Sequence, residues 1–186
     1  QYRENKDIIS INCPNATSIE FEAFHGCINL QQACFPLVTS IESKAFMNCM
    51  NLKQVNSPQV TSIELYAFHK CSSLRKANFP RLTSISQEAF SSCTNLEKAH
   101  FSNAISIGCY AFQECSGLRE ANFLRATSIG QGAFLKCTNL EQALFPEVTS
   151  IDKLAFSSCT NLEQANFSKL THIGEKAFTD CTNLQQ

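Results

Sequence analysis

A period of 22 residues runs through this chain without insertion or deletion, and a strict repeat of that length leaves few folds open. Ile returns at Ile19, Ile41, Ile63, Ile85, Ile107, Ile129, Ile151 and Ile173. An Ala-Phe pair follows each time, with the ring at Phe24, Phe46, Phe68, Phe90, Phe112, Phe134, Phe156 and Phe178. Cys comes next, at Cys27, Cys49, Cys71, Cys93, Cys115, Cys137, Cys159 and Cys181, and Leu three residues later, from Leu30 to Leu184. A second apolar pair closes most units, from Ala33 and Phe35 to Ala165 and Phe167; one unit carries Val55 and Ser57 instead and lacks a ring the others have. A unit of this size cannot bury its own apolar positions, so stability must come from stacking equivalent positions of successive units into columns. The chain is therefore a solenoid.

Within a unit, Leu30-x-x-Ala33-x-Phe35 alternates inward and outward, which predicts a short strand; its copies form a parallel sheet. Pro36, Pro58, Pro80 and Pro146 stand at the downstream end of that strand, where a missing N–H is tolerated and a turn can start. Val38-Thr-Ser-Ile41 and its copies are β-branched and predict a second short strand. Ile19, Ala23 and Cys27 recur at i, i+4 and i+8, the spacing of one helical face, and predict a helical turn or two as the opposite wall. The expected architecture is an α/β solenoid of about eight 22-residue coils, with a parallel sheet on one face and short helical turns on the other. It forms a single domain over 1–186. Ile8, Ile11 and Cys13 make a half repeat over 7–15, full repeats run from 16, and the last repeat is incomplete at 186, as in a piece of a longer array.

Units such as VTSIESKAFMNCMNLKQVNSPQ from Val38 and VTSIDKLAFSSCTNLEQANFSK from Val148 resemble the BspA-like leucine-rich repeat, and the likeness extends from Ala16 onward. The resemblance implies a curved leucine-rich-repeat array. It also implies membership of a family of surface or secreted proteins of anaerobic bacteria and mucosal protozoa, which bind host or neighbouring-cell proteins and are not enzymes. One departure is that Ala fills most strand centres where the family has Val or Ile, with Phe two residues on; this bears on curvature.

The chemistry open to the chain is narrow. With 15 Lys+Arg against 16 Asp+Glu, the net charge of -1 argues against a nucleic-acid binder. No apolar run is long enough to insert in a membrane. Eleven cysteines raise disulfides and metal, but there is no C-x-x-C, and eight of them keep the same phase as the Phe and Leu columns. Stacked ligands do not converge on a tetrahedral ion, so no metal site is expected, and the column reads as buried reduced thiols. Cys13, Cys34 and Cys109 fall outside it, with Cys34 on an outward strand position. Four His and three Asp are scattered, no nucleophile elbow or phosphate loop occurs, and a filled column leaves no pocket for catalysis or for a cofactor.

Inward positions serve packing, so function falls to the outward strand positions. Toward the start these carry the cations Lys53, Arg75, Lys76 and Lys98 against Glu97, with Asn78 and His100 beside them and Arg81 at the rim. Further along they carry Arg119 against Glu120, Glu141 and Glu163. No aromatic side chain stands on this stripe, which disfavours sugar or base stacking and favours a polar protein partner read through charge. The reading is a protein-binding or adhesion module at a cell surface or secreted, with a host or neighbouring-cell protein as partner. An intracellular (cytoplasmic) interaction scaffold and a purely structural spacer remain open alternatives.

Overall fold

The computed structural model describes residues 2–185; Gln1 and Gln186, the outermost residues of the expected domain, lie outside the described part. Three-residue strands recur every 22 residues: β1 (Ser10–Asn12), β2 (Gln32–Cys34), β4 (Gln54–Asn56), β6 (Lys76–Asn78), β8 (Lys98–His100), β10 (Glu120–Asn122), β12 (Gln142–Leu144) and β14 (Gln164–Asn166). A two-residue strand follows at each Ser-Ile from the second copy on: β3 (Ser40–Ile41), β5 (Ser62–Ile63), β7 (Ser84–Ile85), β9 (Ser106–Ile107), β11 (Ser128–Ile129) and β13 (Ser150–Ile151), with β15 (His172–Ile173) in the last coil, while Ile19 makes a single bridge to Ile41. All pairings are parallel and join residues 22 apart, as in Ala121↔Ala143 and Ile129↔Ile151. The Ser-Ile strands form one seven-stranded sheet, so the second short strand predicted from Val-Thr-Ser-Ile is present. The three-residue strands divide into two four-stranded sheets, β1-β2-β4-β6 and β14-β12-β10-β8.

Two expectations are corrected. The molecule makes about seven turns and not eight coils, because eight copies of the motif bound seven complete 22-residue intervals. The wall expected to hold helical turns contains no helix among the described residues; it is a run of tight turns. Alternate backbone donors there point in different directions. Ala23, His25 and Cys27 donate to carbonyls three residues back, each at 3.1 Å, whereas Glu22, Phe24 and Gly26 donate sideways to Ser43, Ala45 and Met47 of the next coil at 3.2, 2.8 and 2.8 Å. A helix would use every donor within its own segment; here half of them bind coil to coil. The zigzag places residues four apart in the left-handed region, for example Tyr66 (φ 59°) and Lys70 (φ 60°), or Gly132 (φ 58°) and Lys136 (φ 59°). Most of these positions are not Gly, so their backbone cost is carried by the coil-to-coil hydrogen bonds.

The core is a set of columns. Rings from Phe24 to Phe178 stack with centroids 5.1–5.3 Å apart and planes within 1–9°. Tyr2, 22 residues before Phe24, adds a ring at 5.4 Å, so packing reaches ahead of Asp7. Phe24 through Phe156 are buried and Phe178 is partly so. Phe35, Phe79, Phe101, Phe123, Phe145 and Phe167 form a second column against the first, for example Phe134–Phe145 at 5.6 Å. At its gap, Ser57 is fully buried and its hydroxyl has no partner. Each ring removed from water stabilises the array by about 1.5–3 kcal/mol.

The cysteines form a third column, buried from Cys27 to Cys159 and half-buried at Cys181; no cysteine is in a disulfide. Each thiol donates to the carbonyl 25 residues earlier, as Cys93 to Phe68 at 3.2 Å and Cys115 to Phe90 at 3.1 Å. That carbonyl already accepts a backbone N–H, Phe68 from Cys71 and Phe90 from Cys93, so the S–H fills its second lone pair. Burial pushes the Cys71, Cys93 and Cys137 thiols well up, and Cys115 up to about 12. Cys13, Cys34 and Cys109 are half-buried, so Cys34 is not set apart by exposure.

Two measurements check this wall and this column. At Lys70, exposed and left-handed, Lys70→Val should cost about 1–2 kcal/mol while Lys70→Gly is neutral or stabilising. A helical wall would instead lose about 1 kcal/mol with Gly. Unfolded thiols ionise near ~8.5 while the buried ones stay protonated, so above that pH the unfolded state binds fewer protons. Stability is then full below about pH 8.5 and falls toward pH 12, by about 1.4 kcal/mol per pH unit for each such thiol. Urea midpoints measured across that window should drop, and the slope should be shallower in Cys115→Ala.

Candidate protein-binding face

The three-residue strands present their first and third residues outward and their central residue inward, so the side of each coil that faces solvent is written by two or three positions. Val55, Ala99, Ala121 and Ala143 are buried at strand centres, whereas Lys53, Arg75, Lys76, Asn78, Lys98, His100, Arg119 and Glu163 are exposed and Glu141 is half-exposed. Arg81 is exposed at the rim just beyond β6. Grooves of about 610 Å³ along β6 and β8 and about 540 Å³ along β12 and β14 run over this face.

Because neighbouring coils are in register, side chains meet their counterparts 22 residues away. Arg119 reaches Glu141 at 3.1 Å, and Lys98 reaches Glu120 at 2.7 Å. His100 contacts the second oxygen of the same Glu120 carboxylate at 2.9 Å. The hydrogen bond from Lys98, with the Lys98 charge and the His100 contact in support, holds the Glu120 carboxyl below the usual glutamate range. Among the described residues, the strand-face cations ahead of this trio have no carboxylate partner. Lys53 donates to the amide oxygen of Gln31 at 3.0 Å, Arg81 to that of Gln59 at 2.7 Å, and Asn78 to that of Asn56 at 2.9 Å. Among the described residues, Arg75 and Lys76 have no acidic side chain within 4.0 Å.

Of the residues singled out in the sequence, Lys53, Arg75, Lys76 and Arg81 thus form one region of unneutralised positive charge. Arg119 and Glu141 neutralise each other, Lys98 is spent on Glu120, and Glu163 stands apart. Glu120 is the residue that the stripe reading undervalued. Its place 22 residues after Lys98 was the available signal, and the same offset joins Lys136 with Glu114, Lys153 with Glu175 and Lys169 with Glu147. On the Ser-Ile side the Thr hydroxyls are engaged as well: Thr83 donates to the Thr61 carbonyl at 3.0 Å and Thr171 to that of Thr149 at 3.0 Å. No group of three or more His, Cys, Asp or Glu that could hold a metal ion occurs among the described residues.

The family model described as BspA type leucine rich repeat region matches residues 2–119 and 105–186, in six copies. The chain belongs to the BspA-type leucine-rich repeat family. No curated protein matches it. Among solved structures, this BspA-type array is similar to the leucine-rich repeat protein of T. pallidum, with 26% identity, a TM-score of 0.67, and coverage of 96% of this chain and 79% of that one. It is equally similar to a leucine-rich cell surface protein of Faecalibacterium prausnitzii, with 26% identity and a TM-score of 0.67. The match covers 98% of this chain but 47% of that protein, so this array spans about half its length. Among the described residues of the BspA-type array, no helix is long and apolar enough to cross a membrane.

The Lys98–Glu120–His100 arrangement makes a checkable claim. In an NMR titration the Glu120 carboxyl should titrate below an ordinary glutamate, and in Lys98→Gln it should move back up toward the ordinary range.

Proposed function

We propose that this array is a non-enzymatic protein-binding module displayed at a cell surface, and that it holds a protein partner, in adhesion, through the outward residues of the three-residue strands. The observation that carries the reading is the uncompensated positive region of Lys53, Arg75, Lys76 and Arg81, on a face whose other charges are largely paired. Unpaired surface charge costs solubility little and steers an oppositely charged partner, raising association rates more than affinity. Beyond the Arg119–Glu141 pair the face ends on the carboxylate of Glu163, which sets a direction for a bound partner along the array; Asn78 lies within the basic region, and His100 and Arg119 lie between the two ends. Membership of the BspA-type family supports an interaction module, and the cell-surface description of the F. prausnitzii relative supports surface display.

Surface plasmon resonance of host and cell-surface proteins at two ionic strengths tests the assignment. For a genuine partner, Arg75→Glu/Lys76→Glu should slow association by about tenfold at low salt and flatten its salt dependence. Lys70→Glu/Lys153→Glu, on the turn wall, should leave both unchanged. Equal losses from the two variants would place the binding surface elsewhere.

A further inference from the structure

The two four-stranded sheets meet at a break, and that break lies among the unpaired cations. At the neighbouring coil steps, the two residues that open a strand both donate to one carbonyl of the preceding coil. Arg75 and Lys76 donate to Lys53 at 3.0 and 3.3 Å, Arg119 and Glu120 to Glu97 at 2.8 and 3.4 Å, and Glu141 and Gln142 to Arg119 at 2.9 and 3.1 Å. Among the described residues no such bonds join Glu97 or Lys98 to Arg75, and Phe79 does not donate to His100 as Phe101 does to Asn122 (3.1 Å) and Phe123 to Leu144 (3.0 Å). Ala77 is half-buried where Val55 and Ala99 are fully covered, and Phe79–Phe101, at 6.5 Å, is the widest neighbouring pair of its column. The other walls stay closed at this step, with Ser84↔Ser106 paired and Phe90 donating to Ala111 at 2.8 Å. The opening is therefore confined to the strand face.

Like charges meet across this step. Lys76 and Lys98 occupy the same position of adjacent coils, where like charges repel. Lys98 and His100 both turn forward to Glu120, while Asn78 turns back to Asn56, so among the described residues no side-chain bridge joins β6 to β8; the bridges across this step lie beyond the strands, Asn95 to the Ser72 carbonyl and Asn103 to the Pro80 carbonyl, each at 2.8 Å. The result is a cleft of about 610 Å³ between Arg75, Lys76 and Asn78 on one side and Glu97, Lys98 and His100 on the other. Its walls carry backbone donors and acceptors that the Glu97–Arg119 and Arg119–Glu141 steps have paired, which is the situation an added strand relieves.

We infer that this cleft docks an extended acidic segment of a partner protein, whose backbone pairs with the open edge of β6 while its carboxylates meet Arg75 and Lys76 at one end and Arg81 at the other. The inference rests on the strand-face reading above. An extended chain suits the site better than a single anion because the free cations are spread along the length of β6 and past its end. Glu97, on the opposite wall, keeps the carboxylates on the β6 side.

The first test is amide hydrogen exchange on the free protein: Phe79, Glu97 and Lys98 should exchange at least about tenfold faster than their counterparts Phe123, Glu141 and Gln142. The second uses a fluorescein-labelled decapeptide of alternating Glu and Val, and the same peptide N-methylated at alternate residues. The unmodified peptide should bind and protect the Phe79 amide at the end of β6, and the N-methylated one, equally charged but unable to pair, should bind at least about tenfold more weakly. Lys76→Gln, which removes the like-charge contact with an amide already present at Gln54 and Gln142, should slow exchange in the free protein and weaken the peptide by about fivefold. Equal exchange rates in the free protein, no binding at about millimolar peptide, or equal binding of the two peptides overturns the inference. So does protection that grows with protein concentration alone, which would assign the edge to a second copy of the chain. Binding that survives Arg75→Glu/Lys76→Glu but is lost in Lys70→Glu/Lys153→Glu would overturn the choice of face itself. Binding that depends on Arg75 and Lys76 without protecting the Phe79 amide overturns only the strand pairing.

Discussion

Coil-to-coil backbone hydrogen bonding is the constraint on which the rest of this molecule depends. A 22-residue coil with two strands and a run of turns leaves about half of its backbone donors without a partner inside the coil, and a buried unpaired donor costs about as much as a lost hydrogen bond. The neighbouring coil supplies the partners on all three walls, as Phe24 to Ala45 and Phe35 to Asn56 illustrate. This holds only if successive coils keep one register, and one register means that like stands on like. The Phe columns, the Cys column and the ionic pairs at an offset of 22 are all consequences of the same pairing.

Like on like favours apolar side chains and strains charged ones. Stacked rings gain contact with both neighbours, and a thiol is small enough to sit in a column while its S–H fills a carbonyl lone pair of the preceding coil. Charges find partners across a coil step only where they alternate. Where they do, as with Lys98 and Glu120 or Arg119 and Glu141, the strand face is bridged. Where Lys76 is followed by Lys98, the bridging side chains turn away from each other and the strand ladder opens, although the other two walls hold. The face assigned to binding is thus also the wall on which the coil-to-coil bonds can be spared locally, because two other walls keep the coils together.

The outward stripe could be read from residues, since alternation in Leu30-x-x-Ala33-x-Phe35 decides which side chains face solvent. The Ser-Ile strand was legible for a similar reason, from β-branching beside an apolar anchor. The turn wall was not. Apolar residues at i, i+4 and i+8 fit a helix and equally fit a zigzag in which every fourth residue is left-handed; the distinguishing sign would have been Gly at those positions, and most carry Lys, Glu, Ser or Tyr. Counting motif copies as coils overstated the array by one, since intervals and not copies make turns.

The 22-residue phase, the identity of the columns and the polar character of the strand face belong to the sequence alone, because periodicity fixes which positions are buried whatever the local backbone does. Which cations are neutralised, that Glu120 holds both Lys98 and His100, that Ser57 is buried with an unpartnered hydroxyl, and that the strand ladder parts between β6 and β8 were decided only in three dimensions. The physical reason is that these depend on which of two neighbouring coils a side chain turns toward. A repeat places both neighbours at equal distance along the chain, and the choice between them is made by the packing and charge on either side.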